Sequence, residues 1–179
     1  MRTTVVVLMV LAGLAFAGVV RAQVTKEAVP GVANFSRVDT TIACAGATTP
    51  AAVTEVKRLG YRSIINLRLA SEQGAETDAE AAAAKAASIN YIWLPFNTAS
   101  PDLATVDRFL HEVTAPANQP AFVHCASANR ASALWMIKRL VVDGWDAERA
   151  GAEAAALGLS NPTLKRFALD YAASHRTPR

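Results

Sequence analysis

The sequence predicts an α/β domain with a mainly parallel sheet of four to five strands, flanked by helices and followed by a helical C-terminal region. Three observations carry this prediction. Short apolar runs at 40–44, 63–67, 91–96 and 121–124 each read as a buried strand. Between them lie stretches with helical spacing and clear start and stop signals, the alternation that builds a parallel sheet. Beyond the fourth run every apolar pattern is helical.

The first residues stand apart. Arg2 gives a positive start, residues 5–20 form a run without charge, and Val20-Arg21-Ala22 offers a small-residue cleavage site. Together these make residues 1–22 a secretory signal peptide. The 16 uncharged residues fall short of the ~20 needed to span a bilayer. The expectation is therefore cleavage and export, to a bacterial periplasm, with no membrane span left afterwards. Removing 22 of the 179 residues leaves 157, suited to one domain with a full core. Arg2 and Arg21 leave too, so 18 basic residues against 15 acidic become 16 against 15. That balance gives no footprint for nucleic acid. Nothing in the pattern sets an oligomeric state.

Residues 23–35 read as an irregular N-terminal segment, broken by Pro30 and Gly31, and 36–179 as a single domain. After the first strand, Thr49-Pro50 looks like an N-cap followed by proline at the first helical position. Val53, Val56 and Leu59 mark that helix's apolar face, and Gly60 closes it. The second strand runs into a polar loop at 68–76 and an alanine-rich helix at 78–87. Ser100-Pro101-Asp102 opens the next helix, with Leu103, Val106, Phe109, Leu110 and Val113 on one face. A helix at 130–143 ends at Gly144, Asp146 caps another that ends at Gly158, and Asn161-Pro162 opens the last.

The chain is organised around the fourth strand and the loop and helix start that come after it, Ala121-Phe-Val-His-Cys-Ala-Ser-Ala-Asn-Arg130. Cys125 sits where the strand ends, and Arg130 sits where the helix begins. A thiol at a helix N-terminus faces unpaired amides and the positive end of the helix dipole, and both favour the thiolate. The same amides suit an oxyanion, and Arg130 adds a planar fork. A nucleophile inside an anion cradle fits phosphoryl transfer through a covalent cysteine intermediate. A buried cysteine that only fills space after a core strand is the plain alternative.

Cys125 and Arg130 are thus the first catalytic candidates. Asp102 is the third, as proton donor to the leaving oxygen, although an acid in a first helical turn also simply complements the dipole. His124, Ala126, Ser127, Ala128 and Asn129 are candidate substrate-binding residues, with Asn129 suited to a left-handed position in the loop. Arg68 is a further candidate, to steer an anionic substrate, with Glu72 to orient it or to act as an alternative acid. Ser127 and Ser132 are candidates to stabilise the thiolate as it leaves, or to cap the helix. The other cysteine, Cys44, is either buried filler or, in an oxidising compartment, a reversible partner of Cys125. His111, His124 and His175 are scattered without metal-ligand spacing, so no metal and no cofactor are expected.

These residues resemble the dual-specificity-phosphatase-like fold, and within it the bacterial beta-lactamase-hydrolase-like phosphatases. The resemblance covers about residues 36–158. It rests on Ala45-Gly-Ala-Thr-Thr-Pro50, Ile64-Ile-Asn-Leu-Arg68, Tyr91-Ile-Trp-Leu-Pro95, the segment from Val123 to Arg130, and Gly144-Trp145. It implies a metal-independent cysteine phosphatase with Cys125 as nucleophile and Arg130 as phosphate clamp. The chain departs from commoner cysteine phosphatases in having four residues between Cys and Arg, Ala128 inside the loop and Ala131 after the arginine. The general-acid position of the larger enzymes falls at Asn97 or Thr98. The short spacing is also similar to the loops of some rhodanese-type sulfurtransferases. That leaves a sulfurtransferase or thiol-redox protein, or a catalytically weak oxyanion-binding module, as alternative readings.

Overall fold

The computed structural model describes residues 24–175, and the signal-like segment 1–22 lies outside them. Among the described residues one sheet holds six strands: β1 (Val24–Lys26), β2 (Ser36–Val38), β3 (Ile42–Ala45), β4 (Ser63–Asn66), β5 (Asn90–Trp93) and β6 (Ala121–His124). Their order is β1-β2-β3-β6-β4-β5. The last four in that order run parallel, and β1 and β2 form an antiparallel edge with β3. The sheet is therefore mixed, and larger than the four to five strands expected.

Both extra strands come from residues 24–38, where the sequence shows no strand pattern. Each is only three residues long, too short for a period-2 pattern to emerge. The pairing is fixed from outside the strands. Asp39 takes a positive φ of 48° between β2 and β3. Its carboxylate accepts from the Thr41 amide at 2.7 Å and the Thr41 hydroxyl at 2.6 Å, which closes the turn.

Among the described residues six α-helices flank the sheet, with the last two packed against the fourth: α1 (Val53–Arg58), α2 (Thr77–Ala86), α3 (Leu103–Thr114), α4 (Asn129–Val141), α5 (Ala147–Ala156) and α6 (Pro162–His175). Strand alternation sorts the core into two layers. Cys44, Ile65, Ile92, Val123 and Cys125 share the core of α3, α4, α5 and α6. Ala43, Ile64 and Phe122 share that of α1 and α2. Carboxylate caps set two starts as expected: Asp102 accepts from the Ala104 amide, and Asp146 from the Arg149 amide. Thr49 makes no side-chain cap bond, and proline there opens a 3-10 turn (Pro50–Ala52) instead of an α-helical one.

The central helix α4 is buried on every side, from Arg130 through Ile137 without a break. Its second half is fastened to α5 by a buried ion pair. Glu153 accepts from Arg139 Nε and from Trp135 Nε1, both at 2.7 Å. The Arg139 guanidinium lies 4.5 Å from the Trp135 ring centre and 4.2 Å from that of Trp145. Removing Glu153 would leave the buried Arg139 Nε–H and an indole N–H without an acceptor, while Arg139 Nη1 keeps Asp143 at 2.9 Å. Glu153→Ala is expected to cost about 2–4 kcal/mol, read as a lowered urea midpoint. Glu55→Ala, which breaks the solvent-facing Arg58 pair, is expected to leave that midpoint unchanged.

Candidate active site

The parallel strands end side by side, and their carboxyl ends form the floor of the site. The ladder continues one step past them. The Leu67 amide donates to the His124 carbonyl at 2.9 Å, and the Phe96 amide to the Leu67 carbonyl at 3.2 Å. This sets the Leu67 and Phe96 carbonyls close enough to share one donor. That donor is Arg130 Nη1, at 2.9 and 3.1 Å.

Glu72 completes the grip on Arg130. Its two oxygens accept from Nη1 at 2.5 Å and Nη2 at 2.7 Å, a fork-to-fork pair. Burial works against the Arg130 charge, but Glu72 and the neighbouring Cys125 sulfur outweigh it and hold the guanidinium above its ordinary pKa. Burial also opposes the Glu72 charge. Hydrogen bonds from Arg130, the Leu69 amide and Arg68 overcome it and hold the carboxyl down at about 2. Glu72 is a fixed anion.

Arg68 is buried and serves this loop, not a substrate. Its guanidinium donates to the Gly74 and Gln73 carbonyls, both at 2.6 Å, and to Glu72 at 3.3 Å. The expected steering role gives way to a staple that fixes the loop carrying Glu72. Glu72 meets Arg68, one of the two roles read for it, but its shorter bonds go to Arg130. No signal in the sequence pairs Glu72 with Arg130, because 58 residues separate them.

Cys125 is fully buried at the end of β6. Its amide donates to the Ala45 carbonyl at 3.2 Å, and the Ala126 carbonyl accepts from the Ala47 amide at 3.0 Å. The first half of the loop is thereby braced on the chain leaving β3. Gly46 permits that approach: a Cβ there would stand 3.1 Å from the carbonyl oxygens of Ala126 and Ala33. Ala128, not Asn129, takes the left-handed conformation, with φ 73°. Among the described residues, the amides of residues 126–131 make no well-aligned bond to a protein acceptor. Apart from the Ala128 amide, which faces the Ala45 carbonyl across the bridge between Gly46 and Ser127, they form a run of open donors at the N-terminus of α4.

Asn129 turns its side chain outward to another loop. Its Oδ1 accepts from the amides of Ser160 and Asn161, both at 2.8 Å. Asn161 in turn caps α6 by accepting from Thr163 and Leu164. Ser132 donates to the Ala128 carbonyl at 2.9 Å and so braces the first turn of α4. A cleft of about 400 Å³ opens above the loop, lined by Ser127, Asn129, Arg130, Glu72, Asn97 and Thr98 among others.

Two expected site residues lie elsewhere. His124 alternates with Cys125, so its side chain points to the opposite face of the sheet, stacked on Phe122. It is fully buried, with Nε2 2.8 Å from Glu80 Oε1. That contact is short but poorly directed, and neither atom makes a well-aligned hydrogen bond. Asp102 is exposed at the start of α3. Its oxygens accept from the Thr105 hydroxyl and the Ala104 amide, which hold its carboxyl below the usual range. Both cysteines are free. Cys44 pairs with Val123 across β3 and β6, so Cys125 lies one diagonal step away, about 8 Å between Cα atoms by sheet geometry. That exceeds disulfide reach. Burial, and then the Cys125 charge, push the Cys44 thiol far above its ordinary pKa.

A family model described as "Beta-lactamase hydrolase-like protein, phosphatase-like domain" matches residues 34–142, more than half of the chain. Beta-lactamase hydrolase-like proteins from two strains of Xylella fastidiosa are 38% identical over 89 residues. The aligned region is 49% of this chain and 20% of each relative, so the chain spans about a fifth of their length. Among solved structures, TpbA of P. aeruginosa has a TM-score of 0.64 at 22% identity, over 86% of this chain and 90% of that one. TpbA in complex with pTyr gives 0.64 at 21%, over 84% and 88%. The core catalytic domain of the PP-IP phosphatase SIW14 from S. cerevisiae, in complex with citrate, gives 0.65 at 20%, over 79% and 87%. At such identities the likeness is one of fold. It agrees with the α/β class, the flanking helices and the helical C-terminal region read from the sequence.

The Glu72 clamp has a pH signature. Its folded pKa is depressed to about 2 from an ordinary 4.5. The stabilisation it gives is therefore full above about pH 4.5 and is lost as pH falls through about 2. In thermal melts from pH 6 down to pH 2, Glu72→Gln is expected to melt below the parent at pH 6. The gap should close as the pH approaches 2.

Proposed function

The chain belongs to the family of beta-lactamase hydrolase-like phosphatase domains, and we propose that it is a metal-independent phosphomonoester hydrolase working through Cys125. The observation that carries this reading is the set of open amides among residues 126–131 beside an immobilised guanidinium. Glu72 and the two strand-end carbonyls occupy Nη1 and one side of Nη2. This leaves Nε–H and the remaining Nη2 hydrogen without a protein oxygen, facing the Cys125 sulfur and an anion held beside it.

In the proposed reaction the Cys125 thiolate attacks phosphorus. A sulfur–phosphorus bond forms, and the ester P–O bond breaks with its electron pair leaving on oxygen. Water then attacks the phosphocysteine, the S–P bond breaks, and inorganic phosphate departs from the regenerated thiolate. Charge on the transferring group's oxygens is met by the loop amides and Arg130. Among solved relatives of this fold, TpbA in complex with pTyr and SIW14 in complex with citrate show oxyanion-bearing ligands on those proteins, in line with an oxyanion substrate here.

Residues 1–22 support a second part of the proposal, export with removal of that segment. Among the described residues no helix is long and apolar enough to cross a membrane. Recovery of a periplasmic form whose first residue is Gln23 would bear this out, and a cytoplasmic form starting at Met1 would overturn it.

For the chemistry, phosphate release from an aryl phosphate is expected to vanish in Cys125→Ser. It should fall about 10²–10³-fold in kcat/KM in Arg130→Lys, which keeps the charge but loses the fork. Equal rates for the parent and Cys125→Ser would overturn the mechanism. A persulfide on Cys125 after thiosulfate, with no phosphate release from any ester, would favour sulfur transfer.

A further inference from the structure

We propose that this site selects phosphoryl groups whose leaving oxygen departs as a stabilised anion, as in esters of acidic phenols and in phosphoanhydrides, and discriminates against alkyl phosphates. The proposal rests on the phosphatase reading and narrows its substrate class.

An alkyl ester needs a proton delivered to its leaving oxygen, and a positioned acid supplies about 10²–10⁴-fold in rate. The cleft has no group free to deliver one among the described residues. Glu72 is the only carboxyl in its lining. Its two oxygens accept from Arg130 Nη1, Arg130 Nη2, the Leu69 amide and Arg68 Nε, at 2.5, 2.7, 2.8 and 3.3 Å. A proton placed there would displace a donor from a full set and loosen the Arg130 clamp. Asn97 and Thr98 stand in the facing wall. The Asn97 side chain accepts from the Ala99 amide at 3.0 Å, and neither an amide nor an alcohol is an acid of useful strength. Asp102 lies outside the lining, with its oxygens engaged by Ala104 and Thr105. His124 and Glu80 belong to the other sheet face, where His124 stacks on Phe122.

The bond to the leaving oxygen must therefore break without a proton from the protein, and the electron pair stays on that oxygen. A phenol with a pKa near or below that of tyrosine, about 10, or the phosphate released from an anhydride, carries that charge readily. An alkoxide does not.

The test uses the full chain on a series of aryl monophosphates from phenyl to dinitrophenyl, with pyrophosphate and glycerol phosphate added. kcat/KM, which reports the step that breaks the ester, is plotted against leaving-group pKa. The expected result is a fall of about fivefold or more per pKa unit, with pyrophosphate cleaved and glycerol phosphate at least 100-fold below the best aryl ester. A slope near zero, or glycerol phosphate within tenfold of that ester, would overturn the proposal. Two variants separate acid from positioning roles. Glu72→Gln should slow every ester by the same factor and leave the slope unchanged, and Asp102→Asn should leave the slope unchanged too. Selective slowing of the poor leaving groups by either variant would identify that residue as the acid and overturn the proposal. Failure of the underlying reading looks different: no phosphate released from any ester, or equal rates for the parent and Cys125→Ser.

Discussion

A guanidinium taken out of water has to be given partners on every side, and the fold around Arg130 is arranged to do so. The chain leaving β4 and β5 presents two carbonyls, of Leu67 and Phe96, to Nη1. The loop after β4 doubles back so that Glu72 meets the remaining edge. That loop is itself held by Arg68, whose backbone amide donates to Asn66 Oδ1 at 2.7 Å. The order of dependence runs from the end of β4 through Asn66, Arg68 and Glu72 to Arg130. The Arg130–Glu72 pair carries no net charge, so the pair alone attracts a phosphate weakly at a distance. What favours a dianion at close range is the geometry of the free N–H groups together with the open amides at the start of α4.

The two faces of the sheet divide the polar groups between them. Cys125 and His124 are adjacent in the chain, yet strand alternation sends them to different faces. Beneath the site, Asn66 Nδ2 donates to Glu80 at 2.8 Å and to the Tyr91 hydroxyl at 2.9 Å, with His124 against the other Glu80 oxygen. This network ties α2 to β4, β5 and β6, the strands whose ends position Arg130 on the opposite face. A change at Glu80 would therefore reach the site through strand positions, not through contact with a substrate.

The parts legible from sequence are those written in local signals. The fourth strand is bounded at 121–124 because a compact apolar run meets a loop of small residues, and Asp102, Asp146, Gly144 and Gly158 mark helix ends through capping chemistry. The pairing of Cys125 with Arg130 follows from their place between a strand and a helix. Long-range partners are not legible. Nothing near Glu72 announces that it will face Arg130, and the polar loop around it reads as solvated. His124 reads as a strand-end residue beside the cysteine, and so as a candidate for the site. The period of two along β6 moves it to the other face once the strand is carried through to its last residue. β1 and β2 escape because three-residue strands are specified by the turn and neighbour that pair them.

The loop itself shows why an alanine can stand where the φ angle favours glycine. A left-handed alanine costs roughly 1–2 kcal/mol, and the Ala128 methyl is wholly buried, which returns part of that. Room for the methyl comes from the turn between α5 and α6, where Gly158 adopts φ 113° and a Cβ on it would stand 3.3 Å from that of Ala128. The same crossing is fastened by Asn129, which accepts from Ser160 and Asn161. The loop after Cys125 and the turn between α5 and α6 thus behave as one unit. One side supplies the methyl and the carboxamide oxygen, and the other supplies the space and the amides. A larger residue at 158 would press on Ala128 and so on the amides beside it. The geometry of the anion cradle is in this way set partly by a turn 33 residues beyond Cys125.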